Sequence, residues 1–188
     1  YRVMKRIFDI VFASIFIIIF RWIYALIALF IMIKDWKPVI YKSIRTWKWW
    51  KPFSMYKFRT MIKNADKIKD SLLEKNERKW PLFKIKNDPR IPKWGKFLRK
   101  TSLDELPQMF NILLWNMSVV WPRPHLPNEV EKYKWWQKRL LSIKPWITWY
   151  SQIFGRDKLE FDEEAKLDLY YIQNRNIFLD FYVIVSTI

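Results

Sequence analysis

The chain has 188 residues, with 35 Lys and Arg against 18 Asp and Glu, a formal net charge of +17, 51% hydrophobic and 19% aromatic content. That suits one packed domain, and so basic a chain seeks polyanions: nucleic acid, an anionic membrane face or phosphorylated small molecules. The absence of Cys excludes disulfides and thiolate metal sites, and a single His, His125, excludes a multi-histidine metal cluster.

The first 35 residues are the most apolar. Ile10 to Phe20 and Trp22 to Ile33 are separated only by Arg21, and together they are long enough to cross a hydrocarbon core of about 30 Å. A signal peptide would have a shorter apolar region and a small-residue cleavage site, which this segment lacks. Lys5 and Arg6 precede the segment, while Lys34, Lys37, Lys42 and Arg45 follow it, so the positive-inside rule wants both ends on the cytoplasmic side. Arg21 at the bilayer centre would cost roughly 2.5–3.5 kcal/mol. A re-entrant helix over residues 1–36, bent near Arg21-Trp22, meets both constraints; the alternative is a spanning anchor with Arg21 packed against a partner.

Residues 37–188 read as one compact unit of α+β class, mainly helical. Pro38 to Ile44 and Phe53 to Met61 predict a β-hairpin. Asn64 to Lys79 carries Ile68, Leu72 and Leu73 at helical spacing. Leu82 to Lys86 is a short alternating run, and Asn87-Asp88-Pro89 marks a turn. Trp94 to Lys100 and Ser102 to Leu114 predict two helices, the second opened by a Ser102-x-x-Glu105 capping box and containing Pro107. Glu129 to Ile143 is amphipathic and basic, Glu160 to Asn174 predicts a helix, and Phe178 to Ile188 is an apolar, aromatic tail suited to a membrane interface.

Thirteen Trp stand beside only two Gly, where an average chain of this length has roughly 13 Gly. Several of these Trp occupy turn sequences: Trp47 and Trp50 between the two predicted strands, Trp121 before Pro-Arg-Pro, and Trp146 and Trp149 around Ile-Thr. A positive φ there favours Gly and penalises a bulky side chain. The pattern is that of glycines written as tryptophan, as happens when a gene that reads UGA as Gly is translated with UGA as Trp. The plainer alternative is an aromatic-rich interfacial protein.

Chemistry concentrates in Thr101-Ser-Leu-Asp-Glu-Leu-Pro-Gln-Met-Phe-Asn111. Asp104 and Glu105 fall in the first turn of a predicted helix, where acids are ordinary and stabilised by the dipole. The same pair suits a hard divalent cation such as Mg²⁺ bridging phosphate oxygens. Arg99 and Lys100 beside it, and later Arg123 and Arg156, are suited to holding a diphosphate.

Lys5-Arg-Ile-Phe-Asp9, Tyr56-Lys-Phe-Arg-Thr-Met61, Pro81 to Arg90, Gly95 to Pro107, Pro122-Arg-Pro124 and Leu167-Asp-Leu-Tyr-Tyr171 stand in one order along the chain. Together they resemble the bacterial sugar transferase family, the monotopic phosphoglycosyl transferases, and in particular the branch acting on undecaprenyl phosphate. The resemblance implies that Asp104 is the nucleophile that attacks the β-phosphate of a UDP-sugar. It implies a phosphosugar-aspartyl intermediate, release of UMP and transfer of the sugar phosphate to undecaprenyl phosphate, with ping-pong kinetics. Glu105 would position Asp104 or the Mg²⁺, which both acids would hold, or assist proton handling. Lys57, Arg59, Arg99, Arg123 and Arg156 would face the phosphates, and Gln152 and Asp168 would support the nucleotide or the site. His125 receives no role. The implied location is the cytoplasmic face of a bacterial inner membrane, against an anionic lipid surface, in the initiation of exopolysaccharide, O-antigen or glycoconjugate assembly.

The resemblance also places Gly at the positions of Trp47, Trp50, Trp80, Trp115, Trp121, Trp146 and Trp149, with Gly common at Trp36, while Trp136 matches a family Trp. Trp22 would suit Gly as the cause of a helix bend. Two departures stand out: Arg21-Trp22 occupies the place where the family commonly has a Ser-Pro bend, and Asn116 replaces a common acid. A nucleic-acid partner is not expected, because the apolar N-terminus and the motif order fit no recognised module. An inactive membrane-associated scaffold of the same fold is the alternative function, and homodimerisation is left open.

Overall fold

A computed structural model describes residues 1–46, 50–77, 85–120, 122–143, 146–148 (backbone only), 150–155 and 159–187. Among the described residues, helices and strands order as α1 Arg2–Asp35, β1 Ile40–Thr46, β2 Pro52–Phe58, α2 Lys93–Lys100, α3 Gln108–Leu113, β3 Ser118–Val120, α4 Pro127–Val130, β4 Trp146–Thr148, α5 Phe161–Asn174 and α6 Ile177–Thr187. The described structure is therefore mainly helical with small sheets. β1 and β2 form an antiparallel hairpin in register from Ile40–Phe58 to Thr46–Pro52, and β3 and β4 form a short parallel pair.

α1 runs without interruption through Arg21 and Trp22, roughly 50 Å at 1.5 Å per residue. It lies antiparallel to α3. Near its start, Arg6 donates to the carbonyls of Ile112 and Leu113 at 2.8 and 3.3 Å, and towards its end the Tyr24 hydroxyl donates to the Leu106 carbonyl at 2.7 Å. Both ends of α1 are buried against the remainder of the chain. Ala13, with Phe8, Phe12 and Phe16, packs on Phe53, Met55, Met109, Ile112 and Val119, while Ile27 and Ile31 pack on Phe58 and Leu98. Along the opposite face Val11, Ile15, Ile18, Ile19, Trp22, Leu26, Leu29 and Ile33 are exposed. This is the one described helix long and apolar enough to cross a membrane.

A buried polar knot anchors the start of α1. Asp9 accepts from Lys5 Nζ at 3.0 Å, from the Ser118 hydroxyl and from the Val119 amide at 3.2 Å. Lys5 also faces Asp180 at 3.5 Å, and Asp180 accepts from the hydroxyls of Tyr1 and Tyr171. Buried charges persist only when paired and hydrogen-bonded in this way. The N-terminal Lys5-to-Asp9 motif thus ties α1 to β3, α5 and α6.

Several boundaries differ from the sequence reading. Ser102 to Leu114 is not one helix: a 3-10 turn over Leu103–Glu105 precedes α3, and Pro107 stands between them, because Pro has no N–H for a continuing helix. The predicted capping box is also absent. Ser102 takes φ 55° and ψ 14° and makes no side-chain cap bond. Asn64 to Glu77 forms turns and a 3-10 segment over Asp70–Lys75 rather than an α-helix. Of its three apolar residues at helical spacing only Leu72 is buried, while Ile68 and Leu73 are exposed, so no apolar stripe exists to stabilise α-helix. Glu129 to Ile143 divides into the end of α4 and a 3-10 segment over Gln137–Ser142. β1 is shifted two residues along the chain from the run Pro38 to Ile44, to Ile40–Thr46, and β2 is shorter than read, Pro52–Phe58. α5 keeps its predicted span, opened by a Glu160–Glu163 capping box. The run Leu82 to Lys84 lies outside the described residues.

Gly95 shows why one glycine is indispensable. A Cβ there would stand 2.1 Å from the Thr60 carbonyl oxygen, so only Gly permits α2 to reach the segment after β2.

Candidate active site

The short turn between α2 and α3 carries both acids. The αL conformation of Ser102 turns the chain out of α2, and Pro107 starts α3, leaving Leu103–Glu105 as a separate turn. Asp104 is only 5% exposed. Burial pushes its carboxyl up to about 6; Lys57 and Arg99 pull it down, and Glu105 adds to the rise. Such a group is ionised at neutral pH yet little stabilised by water, as a nucleophile needs.

Lys57 arrives from β2. Alternation along the strand places Phe53, Met55 and Lys57 on one face, and at its end Lys57 Nζ pairs with Glu105 Oε1 at 2.5 Å. Arg99, in the last turn of α2, donates from Nε to the Thr60 hydroxyl at 2.8 Å. The contact that Gly95 makes possible therefore also sets the root of Arg99. Lys57, Arg99, Asp104 and Glu105 form one mutually interacting cluster.

The other predicted site residues are placed differently. Arg59 is buried, and its Nη2 donates to the carbonyls of Asp35 and Trp36 at 2.9 and 2.8 Å and pairs with the Asp35 carboxylate at 3.0 Å. A cation there caps the C-terminus of α1 and satisfies its last carbonyls, so Arg59 faces a helix end. Asp168 is 3% exposed and accepts the Ser151 amide at 3.1 Å and the Arg123 backbone. Burial raises it well above the usual carboxylate range, with Glu164 adding to the rise. Its carboxyl pins the Pro122-Arg123-Pro124 loop to the segment Tyr150–Phe154. Arg123, on that loop, is half-buried. Gln152 is half-buried, and its Oε1 is shielded from water with no hydrogen-bond partner among the described residues. Arg156 lies outside the described residues. His125 is buried between the rings of Tyr133 and Phe161, at 5.7 and 5.4 Å, a packing position.

Sequence reasoning missed three features. Arg45, near the end of β1, donates to the Pro124 carbonyl at 3.2 Å and the Ser43 hydroxyl at 3.1 Å. Burial chiefly, then the charge of Arg123, lowers its guanidinium below the usual range, so two arginines converge at this loop. No spacing signals a contact between residues so far apart in sequence. The second feature is Asn111, fully buried, whose Nδ2 donates to the Ser54 carbonyl and whose Oδ1 accepts the Tyr56 amide, both at 2.8 Å. The third is a cavity of about 800 Å³ lined by Tyr24, Ala28, Val39, Phe58, Pro107 and Phe110 among others, almost wholly apolar, with Lys42 at its wall. Tyr56 and Phe58, which flank Lys57 in sequence, both line it.

Among the described residues no group of three or more His, Asp and Glu is arranged to hold a metal. Asp104 and Glu105 are hard oxygen donors of the kind that hold Mg²⁺ when substrate phosphates and water complete the shell. The pair fits Mg²⁺ only in that shared mode, with Lys57 already engaging Glu105.

A family model described as bacterial sugar transferase matches residues 1–188. The galactosyl transferase CpsE of Streptococcus agalactiae is 46% identical over 156 residues, 82% of this chain and 35% of that protein. An undecaprenyl-phosphate galactose phosphotransferase of Salmonella typhimurium is 38% identical over 190 residues, 99% of this chain and 40% of that protein. The exopolysaccharide production protein ExoY of Rhizobium meliloti is 35% identical over 188 residues, 98% of this chain and 83% of that protein. The chain thus spans well under half the length of the first two and most of the third.

Proposed function

Because the chain belongs to the bacterial sugar transferase family, we propose that it is a polyprenyl-phosphate hexose-1-phosphate transferase, acting on a UDP-sugar and undecaprenyl phosphate. One observation carries the reading: Asp104 is a buried carboxylate with a raised pKa of about 6, set between the cations Lys57 and Arg99.

The chemistry follows from that setting. An Asp104 oxygen attacks the β-phosphorus of the UDP-sugar; a P–O bond to Asp104 forms as the bond to the bridging oxygen breaks, and UMP leaves. An oxygen of undecaprenyl phosphate then attacks the same phosphorus, the P–O bond to Asp104 breaks, and the carboxylate is regenerated. Each half is an ordinary displacement, which is the advantage of the covalent route. Arg99, with Arg123 on its loop and Arg45 reaching that loop from β1, supplies cations for phosphate oxygens, where guanidinium geometry is favourable. Lys57 holds Glu105 and the field around Asp104. Asp104 and Glu105 would hold Mg²⁺, whose chemistry when bound is to neutralise charge on the phosphate oxygens. The apolar cavity beside Tyr56 and Phe58 suits the isoprenoid chain of the acceptor, with Lys42 near its phosphate.

Support for a monotopic arrangement comes from α1. Both of its ends pack on the same body of protein while its outward face is exposed and apolar, so α1 would sit in one leaflet with both ends on the cytoplasmic side. α6 adds exposed Phe178, Phe181, Tyr182 and Val185, a surface suited to the same interface.

The test is UMP release from radiolabelled UDP-hexoses offered with undecaprenyl phosphate and Mg²⁺. Release is expected from the wild type and its loss from Asp104→Asn. Equal release by Asp104→Asn would overturn the nucleophile assignment, and no release with any common UDP-hexose would favour an inactive scaffold.

A further inference from the structure

We propose that Asn111 is a positioning residue that sets the register of β2 against the catalytic turn and thereby places Lys57 against Glu105 and Asp104. The proposal rests on the transferase reading for its kinetic consequence, and on geometry for its substance. Within the hairpin, β2 pairs with β1 alone. Its other edge presents the Ser54 carbonyl and the Tyr56 amide, and the Asn111 carboxamide takes both at 2.8 Å. A side-chain amide bonded to residues i and i+2 of an edge strand imitates the next strand of a ladder, and it fits in one register only. The residue is fully buried, so neither bond is weakened by competing water.

The consequence lies one residue further on. Lys57 follows Tyr56 directly, and its ammonium pairs with Glu105 at 2.5 Å. Asn111 lies on α3, just after the turn that carries Asp104 and Glu105. The same carboxamide thus joins the element that delivers the cation to the element that delivers the acids.

The test combines Asn111→Ala, Lys57→Met and the double variant, assayed for UMP release with the folded fraction measured by thermal unfolding. Asn111→Ala is expected to lower kcat per folded molecule by about tenfold or more, as loss of about 1.4 kcal/mol of positioning requires. KM for the UDP-sugar should change by less than about threefold, a loss confined to the transition state. The double variant should be no worse than Lys57→Met. Losses that multiply in the double variant, or a loss carried by KM with kcat unchanged in Asn111→Ala, would overturn the proposal. If Asn111→Ala does not fold, Asn111→Asp, which keeps the acceptor for Tyr56 and removes the donor to Ser54, carries the same readouts. Hydrogen exchange at the Tyr56 amide reads the bond without any turnover: protection lost in Asn111→Ala supports the clamp, and protection retained refutes it. Failure of the wild type to release UMP therefore counts against the transferase reading alone.

A different observation carries a second inference: we infer that Trp36, Trp50 and Trp115 are glycines in the protein as its own cells make it. Five described non-Gly residues have positive φ, and three are these tryptophans, at 53°, 65° and 65°. Trp36 and Trp115 each follow a helix end, where αL Gly dominates. Trp50 precedes β2 at the hairpin connection. Trp36, with ψ −163°, lies close to a region essentially restricted to Gly. Their side chains are 65%, 46% and 55% exposed, so burial does little to offset the strain. Trp136, by contrast, has φ −74° and ψ −30° and packs on the cluster of Val130, Tyr133 and Phe161. Trp22 and Trp94 are helical and Trp146 lies in a strand, so their backbones make no such demand. Trp47, Trp80, Trp121 and Trp149 lie outside the described residues. Codons and tryptic peptide masses from the native cells decide the matter: UGA and glycine masses are expected at 36, 50 and 115, with UGG at 136. UGG at all four would overturn the inference. In recombinant protein, Trp115→Gly should raise Tm by about 2–4 °C for each kcal/mol of strain relieved.

Discussion

Asp104 combines two demands that pull in opposite directions. Burial favours the neutral acid, while the proposed nucleophilic attack needs the anion, so the acid limb of kcat/KM should fall near pH 6. Glu105→Gln should move that limb down, because Glu105 raises Asp104, whereas Lys57→Met should move it up; pH–rate profiles check both. The stability consequence has the reverse sign to the usual salt-bridged carboxylate. With a folded pKa of about 6 against an unfolded value near 3.9, the group's contribution to stability is present at low pH and is lost as pH rises through about 6. Asp104→Asn should therefore be inactive and yet unfold at a higher temperature than wild type at pH 8. A lower Tm would mean that the ionised carboxylate is held by favourable bonds. The acid pair was visible in the sequence because motif and chemistry coincide there. Its local structure was misread because Ser102-x-x-Glu105 has the spacing of a capping box, while Lys57, distant in sequence, is what engages Glu105.

The elements were legible in proportion to how local their causes are. α5 keeps its expected span since its capping box and periodicity lie within it, and the hairpin needed only two alternating runs. Segment 64–77 carried helix-forming residues but no apolar stripe that the fold could bury. The antiparallel lie of α1 on α3 was invisible, since it depends on Arg6 and Tyr24 meeting carbonyls at the two ends of α3 across a long stretch of chain. Tyr24→Phe tests that contact. Losing the bond to the Leu106 carbonyl should cost about 1 kcal/mol, lowering Tm by about 2–4 °C, and should loosen the turn that carries Asp104. An unchanged Tm would show that Leu106 finds water instead.

The molecule as a whole presents a long apolar helix face outwards, and its candidate site lies on the turn that leads into α3, the helix packed against α1. Because the chain has no Cys, single cysteines at Arg2 and Lys37 can be labelled cleanly in intact cells. Both are expected to react from the cytoplasmic side, and labelling from opposite sides would refute the monotopic arrangement. The general character of the protein was legible at this scale from charge, hydropathy and motif order. The apolar cavity was not, since its walls come from α1, the hairpin and α3 and no segment alone encloses it. The Tyr24 hydroxyl holds the carbonyl of Leu106, two residues from Asp104, so in the proposed monotopic arrangement the candidate nucleophile would hang from the helix that lies in the lipid. On that proposal the helix would act as a plumb line, setting the depth at which an acceptor phosphate is met, and a bilayer that lifts or sinks α1 would detune the reaction without touching a single residue of the site.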